Sequence, residues 1–144
     1  MLRCIYSWRF VGARKPGQTG ARGDGAAGHT ILYTDRWAET VAFYRDSLSL
    51  TIAFENEWFV EFVVGPGSFI SIADAARSSI APAHGDGITL SFQVDDVHAA
   101  RSDLIKAGVK TGDVGVRWGV DVVDVHDPSG NRLEFWAERT VDRS

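Results

Sequence analysis

The order strand–helix–strand–strand–strand can be read twice along this chain, and such a repeat restricts the architecture more than any single element does. In the first copy, residues 30–34 read as a strand and Asp35 stands where it would cap a helix. Trp37, Val41, Tyr44 and Leu48 then recur at helical spacing as one apolar stripe. Strands follow at 51–55, 59–64 and 69–73, the last two joined by Gly65-Pro66-Gly67 with Pro and Gly in type II turn positions. Residues 75–87, rich in Ala, Ser, Pro and Gly, read as a linker.

The second copy begins with a strand at 88–94. Asp95 or Asp96 caps a helix carrying Val97, Ala100, Leu104 and Ile105, and Gly108 stands where helices end. Strands at 109–114, 120–125 and 132–136 complete it. The last is entered through Asp127-Pro128-Ser129-Gly130, which has Asp, Pro and Gly at the corners a type I turn prefers. Beyond that turn Arg132, Glu134 and Trp136 point one way, and Leu133 and Phe135 the other. A carboxylate therefore sits in mid-strand opposite the core. It is either an ordinary solvent-facing Glu or a ligand or acid/base group in a cleft.

The 144 residues, 44% hydrophobic and 24% charged, suit one globular domain. No apolar run approaches the ~20 residues of a membrane span. The single cysteine, Cys4, excludes an internal disulfide and a cysteine-rich metal site. Charge is unevenly placed. Residues 1–28 hold five Lys/Arg against Asp24, which leaves −8 on residues 29–144 of a chain whose net charge is −4. An acidic domain argues against a nucleic-acid surface, and neither a nucleic-acid nor a membrane partner is expected. Residues 1–28 read as a disordered basic tail without the apolar core of a secretory signal. A transit segment or an over-long start fits that stretch equally. The expected location is cytoplasmic.

Three stretches carry a family resemblance: residues 29–46, from His29 through Asp35-Arg36-Trp37 to Asp46; residues 90–96, ending Val94-Asp95-Asp96; and Trp118-Gly119 followed by residues 127–136. In this order and spacing the chain resembles the vicinal oxygen chelate superfamily of glyoxalase I, bleomycin-resistance proteins and extradiol dioxygenases. The resemblance implies an α+β fold of two βαβββ modules, with helices outside and sheets curled around a shared cleft. The domain would span 29–138: module 1 at 29–74, linker at 75–87, module 2 at 88–138, and a C-terminal tail at 139–144. It also implies a homodimer, to which Trp58, Phe59 and Phe62 could give contact area. Ser49 stands where the family commonly has Gly after its first helix, which puts a left-handed turn there in question.

Metal-using members of that superfamily draw one ligand from each of the first, fourth, fifth and eighth strands. Those positions fall here on His29, Ser71, Thr89 and Glu134. Two strong donors with two neutral hydroxyls fall short of a zinc site, which needs three protein ligands, and of the two-His, one-carboxylate iron site. His84, in the linker, is the one residue that could swing in. The face shared with His29 adds Ile31, Tyr33, Phe69, Ala73, Ser91, Gln93, Arg132 and Trp136 to these positions, against a core face of Leu32, Ile70, Ile72, Leu90, Phe92, Val94, Leu133 and Phe135. Aromatics mixed with a few polar groups suit a small organic ligand.

The expectation is a glyoxalase/bleomycin-resistance-like protein that binds a small, aromatic molecule with no cofactor and no tightly held metal. Tyr33, Phe69, Ser71, Thr89, Ser91, Gln93, Arg132 and Trp136 would line its cleft. The alternative is a metal-dependent lyase, isomerase or dioxygenase with a rebuilt zinc, nickel, iron or manganese site. In an enzyme His29 and Glu134 would be the catalytic pair. In either case these two, one from each module, are expected to form the polar focus of the cleft, with Glu134 favouring protonated His29.

Overall fold

The computed structural model describes residues 27–139. The basic stretch with Cys4 and residues 140–144 lie outside the described residues, as do the expectations that fall on them. β1 (Gly28–Thr34) leads into α1 (Trp37–Ala42), whose end widens into a π turn at Phe43–Ser47. β2 (Thr51–Glu55), β3 (Phe59–Gly65) and β4 (Ser68–Asp74) complete the first module. The second runs β5 (Thr89–Gln93), α2 (Val97–Lys106), β6 (Gly115–Arg117), β7 (Val120–His126) and β8 (Arg132–Glu138).

Both modules make a four-stranded sheet of the same order, β1-β4-β3-β2 and β5-β8-β7-β6. In each, the first and last strands pair in parallel and the other neighbours antiparallel. Among the described residues no strand of one sheet pairs with a strand of the other. This is the α+β arrangement of two βαβββ modules. A parallel pair needs a long crossover, and each helix with the two strands after it supplies one.

Period-two alternation decides which face of each sheet the helices cover. In the first module Leu32, Val60, Phe62, Val64, Ile70 and Ile72 are buried together with Val41, Tyr44 and Leu48. Trp37 packs against the same cluster, and its indole N–H donates to the Ile72 carbonyl at 3.2 Å. In the second, Leu90, Val123, Val125, Leu133 and Phe135 are buried with Val97, Ala100 and Leu104. Asp96 caps α2 by accepting from the His98 and Ala99 N–H groups. Gly108 ends it at φ +82°.

Several local expectations need correction. Asp35 does not cap α1. The N-cap is Arg36, one residue later, and its N–H donates to Thr34 Oγ1, while the Asp35 carboxylate meets His84. The strand expected at 109–114 lies at β6 instead, because residues 109–114 are needed to return the chain from α2 to the sheet edge. Phe62 cannot supply interface area, since its parity turns it toward α1 and it is fully buried. Ile105 is 49% exposed and leaves the α2 stripe at Leu104. Ser49 keeps the left-handed turn without glycine, at φ +54°.

Candidate functional site

The faces turned away from the helices carry the polar groups. In the first sheet the strand register sets them out in rows. Phe54, Glu61, Ser71 and Ile31 stand side by side across β2, β3, β4 and β1. On one side of that row lie Val63, Phe69 and His29, and on the other Phe59, Ala73 and Tyr33. The face is thus apolar and aromatic, with one carboxylate near its middle. His29 stacks on Phe69, ring centroids 4.7 Å apart and planes 18° from parallel. Its Nδ1 lies 3.0 Å from Glu61 Oε2. Phe54 at 53% and Ile31 at 42% exposure stay open to solvent. Ser71 is fully buried, and its Oγ has no hydrogen-bond partner among the described residues.

The corresponding face of the second sheet is a charge lattice. Glu134 stands between Ser91 and Asp124 in the register. Ser91 Oγ donates to Glu134 Oε1 at 2.7 Å. Arg132 donates to Thr89 Oγ1 and to Asp124 Oδ1, both at 3.0 Å, and also lies 3.6 Å from Glu134 Oε2. Arg117, from the edge strand β6, donates to Asp124 Oδ1 at 2.6 Å and lies 4.0 Å from Glu134 Oε2. Burial pushes the Asp124 carboxyl up, but the hydrogen bonds from Arg117 and Arg132 outweigh it and leave it below the ordinary carboxylate value.

The turn into β8 joins the modules. Buried Asp127 accepts the Ser129 and Asn131 N–H groups on Oδ1, and on Oδ2 the Asn131 amide and the Tyr44 hydroxyl, the last at 2.7 Å. Arg36 donates to the Pro128 carbonyl. The linker closes on the same turn: a Cβ on Gly85 would come within 2.1 Å of the Gly130 oxygen. His84 is held 3.1 Å from Asp35, and that hydrogen bond keeps the Asp35 carboxyl below its ordinary value. His84 is therefore engaged at the module junction.

The two strong donors have separate partners, each within its own sheet: Glu61 for His29, and Ser91 with the guanidiniums for Glu134. Among the described residues no ion pair joins them. Thr89, Ser91, Arg132 and Glu134 fall into one network, while Phe69 and Ser71 lie in the other sheet beside His29. Tyr33, Gln93 and Trp136 are half-buried on the same faces. Sequence reasoning missed Phe54, Phe59, Glu61 and Val63 on β2 and β3, and Arg117 and Asp124 on β6 and β7. In β3 both parities are apolar, so alternation gave no inner face. The lone charge of Glu61 inside that run was the available signal.

The model of the Glyoxalase/Bleomycin resistance protein/Dioxygenase superfamily matches residues 26–135, and the chain belongs to that family. Among solved structures, a lactoylglutathione lyase from Agrobacterium tumefaciens is 25% identical, with a TM-score of 0.63 over 78% of this chain and 92% of that one. A glyoxalase/bleomycin resistance protein/dioxygenase from Nocardioides is 18% identical, with a TM-score of 0.66 over 88% of this chain and 89% of that one. TnmS3, an antibiotic-binding protein from a Streptomyces species, is 15% identical, with a TM-score of 0.66 over 78% of this chain and 95% of that one. No curated protein matches the sequence.

The metal that many members of the family use does not fit these side chains. Ser71 is a buried neutral hydroxyl, Thr89 accepts from a guanidinium, and a cation on Glu134 would sit beside Arg132 and Arg117. Among the described residues no three His, Cys, Asp or Glu side chains come together. Like charge a few ångströms away raises the cost of any cation placed there.

Proposed function

We propose that this domain binds a small organic molecule with an aromatic part on the inner faces of its sheets, without a tightly bound metal. The observation that carries this reading is the engagement of Glu134 by Ser91, Arg132 and Arg117, which gives the carboxylate guanidinium partners in place of a metal. The aromatic inner face of the first sheet supports an organic ligand, since apolar surface with a few directed polar groups suits such molecules. Tyr33, Phe69, Ser71, Thr89, Ser91, Gln93, Arg132 and Trp136 belong to the binding faces in this reading, and His29 and Glu134 serve as polar anchors in separate sheets. The same reading includes a homodimer in the cytoplasm, with Trp58 at the contact. No described helix is long and apolar enough to cross a membrane.

A metal-dependent lyase, isomerase or dioxygenase is the second reading. One observation favours it, the 25% identity to a lactoylglutathione lyase.

The two readings separate in one set of measurements. A thermal-shift screen of aromatic compounds, run beside turnover assays of metal-supplemented protein on hemithioacetals and catechols, should give binding and no turnover. Elemental analysis after exhaustive dialysis should find well under one equivalent of zinc, nickel, iron or manganese. Turnover together with stoichiometric metal would replace the binder with the enzyme. Light scattering that finds a stable monomer at micromolar concentration would remove the dimer.

A further inference from the structure

The first sheet holds an unassigned feature that narrows the ligand class. Glu61 is the only acidic side chain in the rows of its inner face, and its side chain is 18% exposed. Phe54 flanks it on β2, Phe59 and Val63 stand two residues away on its own strand, and Phe69 and His29 stack diagonally across β4 and β1. Among the described residues its one polar partner is the half-exposed His29 ring. Ser71 stands directly beside it in the register and is fully buried.

We propose that this face, within the binder reading above, is a subsite for a planar aromatic cation that donates a nitrogen-borne hydrogen to Glu61. Three features converge on that chemistry. A carboxylate in apolar surroundings accepts charge-assisted hydrogen bonds, which are the strong ones. Aromatic rings around it offer stacking surface, and their faces attract cations. The domain carries −8 outside the basic stretch, so its field draws cations in and repels anions. In the second sheet, by contrast, every carboxylate of the lattice is matched by a guanidinium.

Three acridines of nearly equal shape test the idea by fluorescence titration of the full chain: 9-aminoacridine as the cation with donors, acridine as the neutral ring, and acridine-9-carboxylate as the anion. The cation should bind tightest. Glu61→Gln, which keeps the shape, should weaken it about tenfold or more, the scale of a lost charged hydrogen bond. Phe54→Ala should also weaken it, and because that side chain is half exposed the domain should stay folded. Asp113→Asn removes one fully exposed charge elsewhere and should leave binding unchanged. Equal affinity for all three compounds, or Glu61→Gln equal to wild type, would overturn the subsite while leaving an aromatic binder standing. Binding of none of the three would also overturn it, and the wider reading would then rest on its own thermal-shift screen. Weakened binding in a variant counts only where circular dichroism shows native folding. If Glu61→Gln is unfolded, Phe54→Ala and the order of the three compounds decide.

Discussion

Tyr44 and Asp127 form a buried hydrogen-bonded pair that joins the two modules. Burial, with the Asp127 carboxylate beside it, pushes the Tyr44 hydroxyl well above its ordinary value of 10.0. Tyr44→Phe should lose about 1.5–3 kcal/mol in urea denaturation, the range for a hydrogen bond to a charged group. The folded-state value is raised, so this contribution is complete below pH 10.0 and falls as pH rises from there toward the folded-state value. Melting curves of wild type and variant should therefore converge above pH 10. Asp124 behaves in the opposite sense. Its value is lowered below 3.8, so the stability it contributes is present above that pH and disappears as pH falls through the folded-state value. Arg117→Ala should cost up to about 1 kcal/mol at pH 7, since the pair is partly exposed. The difference should vanish in acid titrations followed by circular dichroism.

At the scale of elements, two tight turns hold side chains where glycine is usual. Trp118 is at φ +48° and Gly119 at φ +82° in the two-residue loop between β6 and β7, with Arg117 paired to Val120. Positive φ at both central positions matches the type I′ turn that suits the twist of a hairpin. Trp118 is 88% exposed, so it recovers little of the strain by packing. Trp118→Gly should stabilise the domain by up to about 1 kcal/mol in denaturant unfolding. A clear loss would mean the indole has a partner worth finding. Ser49→Gly should have the same sign, because Ser49 also occupies the left-handed region and its hydroxyl makes only a long contact to the Asp46 carbonyl.

For the molecule as a whole, the junction between modules rests on a close backbone approach. Gly85 and Gly130 bring two backbones together, both at positive φ. Gly85→Ala would place a methyl against the Gly130 carbonyl and strain its own backbone, costing about 3 kcal/mol or more. Calorimetry should show a lower melting temperature, with each helix–sheet core intact until the cooperative transition. The order of strands and helices was legible because apolar residues recur at two periods, and a period is a local property. The duplicated module followed from the same local pattern read twice. Asp35 as a helix cap and a strand at 109–114 failed because helix starts and edge strands depend on one or two residues whose partners are distant. The inner-face positions of His29 and Glu134 followed from alternation. Their partners did not, because a charged side chain chooses among neighbours on adjacent strands, and register decides which are adjacent. The sequence by itself therefore determined most of the elements, the repeat and the core faces of β1, β4, β5 and β8. Only the tertiary structure decided that Glu61 meets His29, that Arg117 and Arg132 meet Glu134, and that Asp127 ties the modules, since each contact spans strands or modules whose separation the chain does not encode locally.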